Sequence, residues 1–215
     1  MTIPAIQDYA FPTANEYPAA KVDWAIEPKK AALLIHDMQD YFINFYHPAS
    51  PMMSRVIKQI SALKAWAKEQ RIPVYYTAQP AEQSDESRGL LTDMWGPGLT
   101  AKPELANIVA SLTPEQSDRL LTKWRYSAFF LSDLAEQMMQ EQRDQLIICG
   151  IYAHIGVLQT AAEAFMKSIK PFVMADAIAD FSRDDHLYAL RYVQRNLGMV
   201  STVTESIAID SLISS

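Results

Sequence analysis

A carboxyl group lifted out of an apolar strand into a polar turn is the first chemistry this sequence offers. Asp37 directly follows the run Ala31-Ala-Leu-Leu-Ile-His36 and opens the polar cluster Asp37-Met-Gln-Asp40. A carboxyl so placed is expected to have a raised pKa and to act as a proton donor. From position alone, a helix N-cap or a solvated loop carboxylate stays open as an alternative. Lys123 stands at the end of Leu120-Leu-Thr122 and would pair with Asp37 or with an anionic substrate, although a lysine behind a strand is by itself usually a solvated surface charge. The stretch Gly150-Ile-Tyr-Ala-His-Ile-Gly156 sets backbone N–H groups where a helix begins, the usual setting for holding a developing oxyanion or a carboxylate. Its glycines alone are a weak signal. His154 in that turn is a potential base, but between Ala153 and Ile155 it reads first as a buried histidine bonded to backbone.

Other chemistries find less support. His36, His47, His154 and His186 are scattered and make no recognisable metal motif, so no metal is expected. Neither a G-x-G-x-x-G after a strand nor a P-loop is present, and no nucleotide cofactor is implied. Cys149 ends the apolar run Leu146-Ile-Ile-Cys149. A reactive thiol needs a helix N-terminus or a basic neighbour, so the expectation is a buried, inert cysteine. Trp66 reads as core or helix surface, whereas Trp95 and Trp124 flank the polar candidates and are expected to wall a pocket.

Those residues need a scaffold, and the pattern around them supplies one. Short apolar runs without alternation, at 31–36, 74–77, 120–122, 145–149, 171–175 and 199–203, read as strands covered on both faces. Helical spacing follows Ser50-Pro51 through Met53, Val56, Ile57, Ile60, Leu63 and Ala67, and further helices are expected over 132–142, 156–168 and 184–197. Pro103 and Thr113-Pro114 read as helix starts, and Ser182 with Asp185 as a capping box. The polar stretch 81–100, with Trp95-Gly96-Pro97-Gly98, is long for a loop and is expected to cover a site. Residues 1–30, with Pro4, Pro12, Pro18 and Pro28, read as an extended arm laid over the domain. The sum is an α/β chain: one three-layer α/β/α domain over residues 1–215, with about six mostly parallel strands. In such sheets ligands bind outside the carboxyl ends of the strands, which is where Asp37, Gln79, Lys123 and 152–156 fall.

Bulk properties narrow the partners. With 215 residues, 49% apolar and 20% charged, the chain can bury a two-sided sheet. A net charge of −6 offers no basic field for nucleic acid or an anionic membrane surface. No apolar run approaches membrane-span length and the first residues do not form a signal peptide, so a cytoplasmic protein is expected. A single cysteine allows no internal disulfide.

Taken together, several stretches resemble the isochorismatase family over nearly the whole chain. They are Leu34-Ile-His-Asp-Met-Gln-Asp-Tyr-Phe42, Tyr76-Thr-Ala-Gln-Pro80, Asp93-Met-Trp-Gly-Pro-Gly98, Thr122-Lys-Trp-Arg-Tyr-Ser-Ala-Phe129, Gly150-Ile-Tyr-Ala-His-Ile-Gly156 and Ala175-Asp-Ala-Ile-Ala-Asp-Phe-Ser182. The resemblance is to isochorismatases of catecholate siderophore synthesis and their phenazine-pathway relative. It implies an isochorismatase-like hydrolase fold, with Asp37 as the acid, Lys123 as the active-site lysine, and Gly156 where the nicotinamidase-like and N-carbamoylsarcosine amidase-like branches carry a nucleophilic cysteine. By the same resemblance Phe42, Gln79, Arg88, Trp95, Tyr126 and Tyr152 surround the substrate, and a cis peptide precedes Tyr152. The implied reaction is hydrolysis of isochorismate to 2,3-dihydro-2,3-dihydroxybenzoate and pyruvate, without metal or other cofactor. The phenazine-type substrate 2-amino-2-deoxyisochorismate is the alternative. Implied partners are a second copy in a homodimer and siderophore synthetase or carrier proteins. Asp210-Ser211-Leu212 imitates a carrier motif, but too little chain surrounds it for a carrier-protein domain, and it is read as chance. One tension is visible: Lys123 beside Asp37 would lower the carboxyl pKa that an acid needs raised.

Overall fold

The computed structural model describes residues 3–213, apart from the side chains of 209–213. Among the described residues six parallel strands form one sheet: β1 (Ala31–His36), β2 (Val74–Ala78), β3 (Arg119–Thr122), β4 (Gln145–Ile151), β5 (Lys170–Ala179) and β6 (Met199–Ser201). The helices are α1 (Asp40–Ile43), α2 (Pro51–Glu69), α3 (Asp85–Arg88), α4 (Leu91–Trp95), α5 (Leu134–Gln140), α6 (Leu158–Met166), α7 (Arg183–Asn196) and α8 (Val203–Ile213).

The strand order is β3-β2-β1-β4-β5-β6. The chain therefore builds outward in one direction from β1, then returns to β1's other side with β4. That reversal opens a crevice beyond the carboxyl ends of β1 and β4, the place where such sheets take their ligands. Asp37 and the turn after Ile151 stand on its two sides.

Both faces of the sheet are covered, which is why its strands carry no polar alternation. Leu33 and Ile35 of β1, with Ile147 and Cys149 of β4, pack under Val56, Ile60, Leu63 and Ala67 of α2. Leu34, Leu146 and Ile148 point the other way, to Leu134 and Met138 of α5, Ala161 and Ala164 of α6, and Leu190 and Val193 of α7. Each fully buried Val, Leu or Ile side chain of this set contributes roughly 1.5–3 kcal/mol. Ser50 caps α2 as its spacing predicts, Oγ accepting from the Met53 N–H at 2.9 Å, and Ser182 caps α7 by accepting from the Asp185 N–H at 3.1 Å.

The proline-rich arm lies over the domain through specific bonds. Asp8 accepts from the Ser50 hydroxyl (2.5 Å) and from the Met52 N–H (3.2 Å), adding a charge to the start of α2. The Tyr9 hydroxyl accepts from the Asp180 N–H at 2.7 Å, and Arg183 pairs with Glu16 at 2.7 Å.

Several boundaries differ from expectation, each for a local reason. Thr113-Pro114 begins no helix: Asp118 accepts from the Glu115 N–H and takes Lys64 and Lys68 on its carboxylate, closing a turn instead. The last strand stops at Ser201 because Thr202 and Glu205 form a capping box, Glu205 N–H donating to Thr202 Oγ1 and Thr202 N–H to Glu205 Oε2, which starts α8 at Val203. The stretch 81–100 is not an irregular loop but holds α3, α4 and a 3-10 turn. The side chains of Asp210-Ser211-Leu212 lie outside the described residues.

Candidate active site

Asp37 occupies the first position after β1 with φ +50°, a left-handed conformation that aspartate tolerates better than most side chains. Its backbone N–H donates to Thr77 Oγ1 (3.0 Å), and the Thr77 hydroxyl donates back to Asp37 Oδ1 (2.6 Å). Thr77 thus fixes the carboxyl from the neighbouring strand. The other oxygen, Oδ2, accepts from Lys123 Nζ at 2.8 Å. Lys123 is held in register because its own N–H donates to the Ala78 carbonyl, extending the β2–β3 ladder by one residue.

Both partners are buried: the Asp37 side chain is 9% exposed and that of Lys123 3%. Burial pushes the Asp37 carboxyl up, but the Lys123 ammonium beside it and the hydrogen bonds from Lys123 and Thr77 oppose this and hold the group below its usual range. This corrects the expectation that position alone raises the pKa. The free protein presents a carboxylate at neutral pH, not an acid. His36, buried next to it, is pushed down to about 4 by burial and is neutral there.

A pocket with about 570 Å³ between its walls, mouth included, opens over this pair. The nine residues that the resemblance assigns to the site all line it: Asp37, Lys123 and Gly156 with Phe42, Gln79, Arg88, Trp95, Tyr126 and Tyr152. Gln79 is set there by the buried Gln39, whose amide accepts from the Gln79 N–H (2.8 Å) and donates to its carbonyl (2.9 Å). Arg88, at the end of α3, gives Nε to the Gly96 carbonyl (2.8 Å) and Nη1 to Gln83 (3.1 Å). Its guanidinium lies so close to Gly98 that a Cβ there would stand 2.3 Å from Nη2, and Gly98 has φ +61°. Trp95 donates its indole N–H to the Tyr126 hydroxyl at 3.0 Å. Tyr152 follows a cis peptide bond after Ile151 and donates its hydroxyl to the Phe42 carbonyl (2.8 Å). Tyr152, Phe181 and Trp95 meet edge to face, with Tyr152–Phe181 centroids 4.6 Å apart. The result is an aromatic wall around a buried ion pair and a bare glycine.

Sequence reasoning missed several parts of this site. Thr77, near the end of β2, and Gln39, just ahead of α1, touch the named residues and stand two positions from Gln79 and Asp37, and that closeness was their signal. Arg125 and Phe181 line the pocket. Arg125 also donates to the Ser87 carbonyl at 2.7 Å, tying α3 to the segment behind β3. Ile3 brings the arm to the pocket edge, and nothing in its local sequence announces that. Trp124 is a correction: it stands at the β3 edge with Leu120 and Leu131 and is not among the pocket residues.

His154 is bound to Asp180 through both its N–H (2.6 Å) and Nδ1 (2.7 Å) and packs edge-on to Phe181, outside the pocket lining. With Asp180 and Asp185 it forms a close group of potential metal ligands that the spacing of histidines does not reveal. Those Asp180 oxygens already accept from His154 and from the Phe181 N–H, and Asp185 accepts from Ser182. Cys149 is fully buried, its thiol donating to the Leu34 carbonyl at 3.5 Å, and burial raises its pKa. Native protein is therefore expected to resist iodoacetamide on the timescale on which unfolded protein is fully alkylated, as mass spectrometry would follow. Rapid native labelling would refute that.

A parallel α/β sheet with its pocket at the β1–β4 reversal is the architecture of isochorismatase-like hydrolases. The solved structure of a cysteine hydrolase from Pseudomonas syringae pv. phaseolicola shares the fold, with a TM-score of 0.80, 22% identity, and coverage of 90% of this chain and 98% of that one. The chain belongs to the isochorismatase family, whose isochorismatase domain matches residues 31–205. It is 57% identical to enterobactin synthase component B of Escherichia coli, over 95% of this chain and 72% of that protein. It is 52% identical to the isochorismatase of Bacillus subtilis, over 89% of this chain and 62% of that protein. Identity to the phenazine biosynthesis protein PhzD of Pseudomonas fluorescens is 46%, over 94% of this chain and 97% of that protein.

Proposed function

We propose that this chain hydrolyses the vinyl ether of isochorismate, releasing pyruvate and 2,3-dihydro-2,3-dihydroxybenzoate for siderophore synthesis, with Asp37 as general acid. The observation that carries the reading is the Asp37–Lys123 pair buried in a pocket that also holds Arg88 and a glycine in place of any nucleophile. Asp37 passes its proton to the terminal vinyl carbon, leaving an oxocarbenium ion. Water adds to that ion, the proton it sheds returns to Asp37, and the hemiketal collapses to pyruvate and the ring alcohol. Lys123 and Arg88 hold the substrate's two carboxylates, while Phe42, Trp95, Tyr126 and Tyr152 enclose the ring and Gln79 offers a polar contact. Pyruvate release from isochorismate, followed by coupling to lactate dehydrogenase, tests the reading directly; purified protein that forms no pyruvate refutes it.

The ionised resting carboxylate is reconciled with an acid role by the substrate itself. A substrate carboxylate about 4 Å from Asp37, at an effective dielectric of about 20, disfavours the charged form by about 4 kcal/mol, or about three pKa units. That shift opposes the lowering by Lys123 and Thr77 and moves the carboxyl toward the neutral range. The expected pH profile follows: kcat/KM, which reports free enzyme, declines as pH rises from the acid side, and the decline in kcat, which reports the complex, lies at higher pH. A kcat/KM that climbs with pH across the same range would exclude Asp37 as donor.

Arg88→Ala is expected to raise KM for isochorismate about tenfold or more, from the loss of a charged hydrogen bond, with a smaller change in kcat. Steady-state kinetics decide this, and a collapse of kcat alone would assign Arg88 to the transition state instead. The second reading, hydrolysis of 2-amino-2-deoxyisochorismate, is supported by the near full-length match to PhzD. Relative kcat/KM on the two substrates separates them. None of the helices among the described residues is long and apolar enough to cross a membrane. A cytoplasmic homodimer of one isochorismatase domain, working beside siderophore synthetase and carrier proteins, completes the proposal.

A further inference from the structure

Gly156 is bare for a reason that its own backbone does not supply, since its φ lies outside the left-handed region that favours glycine. The reason stands opposite. A Cβ at residue 156 would lie 2.1 Å from Cε1, 2.7 Å from Nε2 and 3.0 Å from Nδ1 of His36. That ring is fully buried, and its Nδ1 sits 2.7 Å from the Ile151 carbonyl oxygen. A carbonyl only accepts, so Nδ1 carries the proton and donates it. The same nitrogen is 3.6 Å from Asp37 Oδ2. His36 ends β1, so one residue borders the acid, the floor glycine and the carbonyl of the cis bond before Tyr152.

We infer that His36 is a positioning residue and the filler that closes the pocket floor: its imidazole occupies the space a side chain at 156 needs, and its Nδ1–H ties the Tyr152–Gly156 turn to the strand end that carries Asp37. The inference deepens the acid-catalysed reading and rests on it. Its chemical meaning is that no side chain can approach the substrate from residue 156, so the oxocarbenium carbon is left to water. Because burial holds the ring neutral, it fills this space without adding a second cation next to Asp37.

The two roles separate by substitution. His36→Asn keeps a donor near the Nδ1 position and removes Cε1 and Nε2; His36→Leu keeps bulk and removes the donor. Gly156→Ala alone is expected to lower Tm by about 5–10 °C through overpacking. Adding His36→Asn makes room for the methyl group, so the double variant melts above Gly156→Ala alone. Should Gly156→Ala fail to fold, folded protein recovered in the double variant carries the same meaning. A Gly156→Ala protein that melts like the parent, or losses that simply add in the double variant, overturns the filler role. For positioning, His36→Leu is expected to lower kcat for isochorismate about tenfold or more with KM within about threefold, because a misplaced acid loses rate before binding. His36→Asn should keep kcat close to the parent's. Equal kcat in the Leu and Asn variants overturns the positioning role. The melting series contains no substrate, so its outcome is independent of whether isochorismate is the one turned over.

Discussion

Asp37→Asn is expected to reduce kcat by ~10²–10⁴-fold, about 2.7–5.4 kcal/mol of barrier, the share that a positioned general acid contributes. The amide cannot give a proton to carbon. It can keep the local bonds: the side-chain carbonyl accepts from Lys123, and the NH2 group turns to Thr77 Oγ1, which already accepts the backbone N–H of residue 37. Binding should survive and tighten, because the pocket then presents Lys123 and Arg88 to a dianion with no opposing carboxylate. Single-turnover pyruvate release, substrate affinity and Tm on the same preparation separate lost chemistry from lost structure. More than about a tenth of parental kcat would mean that the proton comes from elsewhere, since a missing acid costs far more.

Lys123→Met is expected to have the largest effect on stability. It leaves a carboxylate in a site where its own side chain is 9% exposed, with no cation at 2.8 Å to offset the burial. Removing one partner of such a pair costs about 3–5 kcal/mol, or roughly 6–20 °C of Tm in a chain of this size. The pH dependence should also change sign. In the parent, Asp37 is held below its unfolded pKa, so its contribution is present above that value and is lost as pH falls through the folded one. Without Lys123, burial dominates and lifts the folded pKa above the unfolded one. The variant therefore regains stability as pH falls through the raised value, and its Tm deficit narrows between neutral and mildly acidic pH. Thermal melts across that range check both the size and the slope. A variant as stable as the parent at pH 7 would show that solvent, not the lysine, compensates the carboxylate.

The sheet was legible in the sequence because burial on both faces writes uninterrupted apolar runs such as Ala31-Ala-Leu-Leu-Ile, and the polar residue after each run marks the carboxyl edge. That rule alone reached Asp37, Gln79, Lys123 and 152–156. Trp95 was reached by its place beside the polar candidates, whereas Arg88, on a helix too short to carry a period, and the tyrosine walls came through resemblance. What stayed hidden are contacts between distant segments. The Thr77 hydroxyl meets Asp37 across forty positions of sequence and Asp180 meets His154 across twenty-six, and no local pattern encodes either. The sign of the Asp37 shift was undecidable for the same reason: it depends on whether Lys123 stands at 2.8 Å or outside the pocket. At 113–118 the signal was present but outweighed, a proline-led helix start losing to two lysines that hold Asp118 in a turn.

The arm changes what counts as the working unit. Ile3 stands at the pocket edge, Asp8 neutralises the start of α2, and Tyr9 meets the backbone of Asp180, next to Phe181 in the pocket wall. All three lie ahead of the span 31–205 that the family match outlines. Trimming the gene to that span would keep every strand and every charged group of the pocket, yet discard part of its rim and the latch behind one wall. The pocket of this chain thus draws on residues ahead of the recognisable domain, so the structural unit around the site is longer than the span the family match outlines.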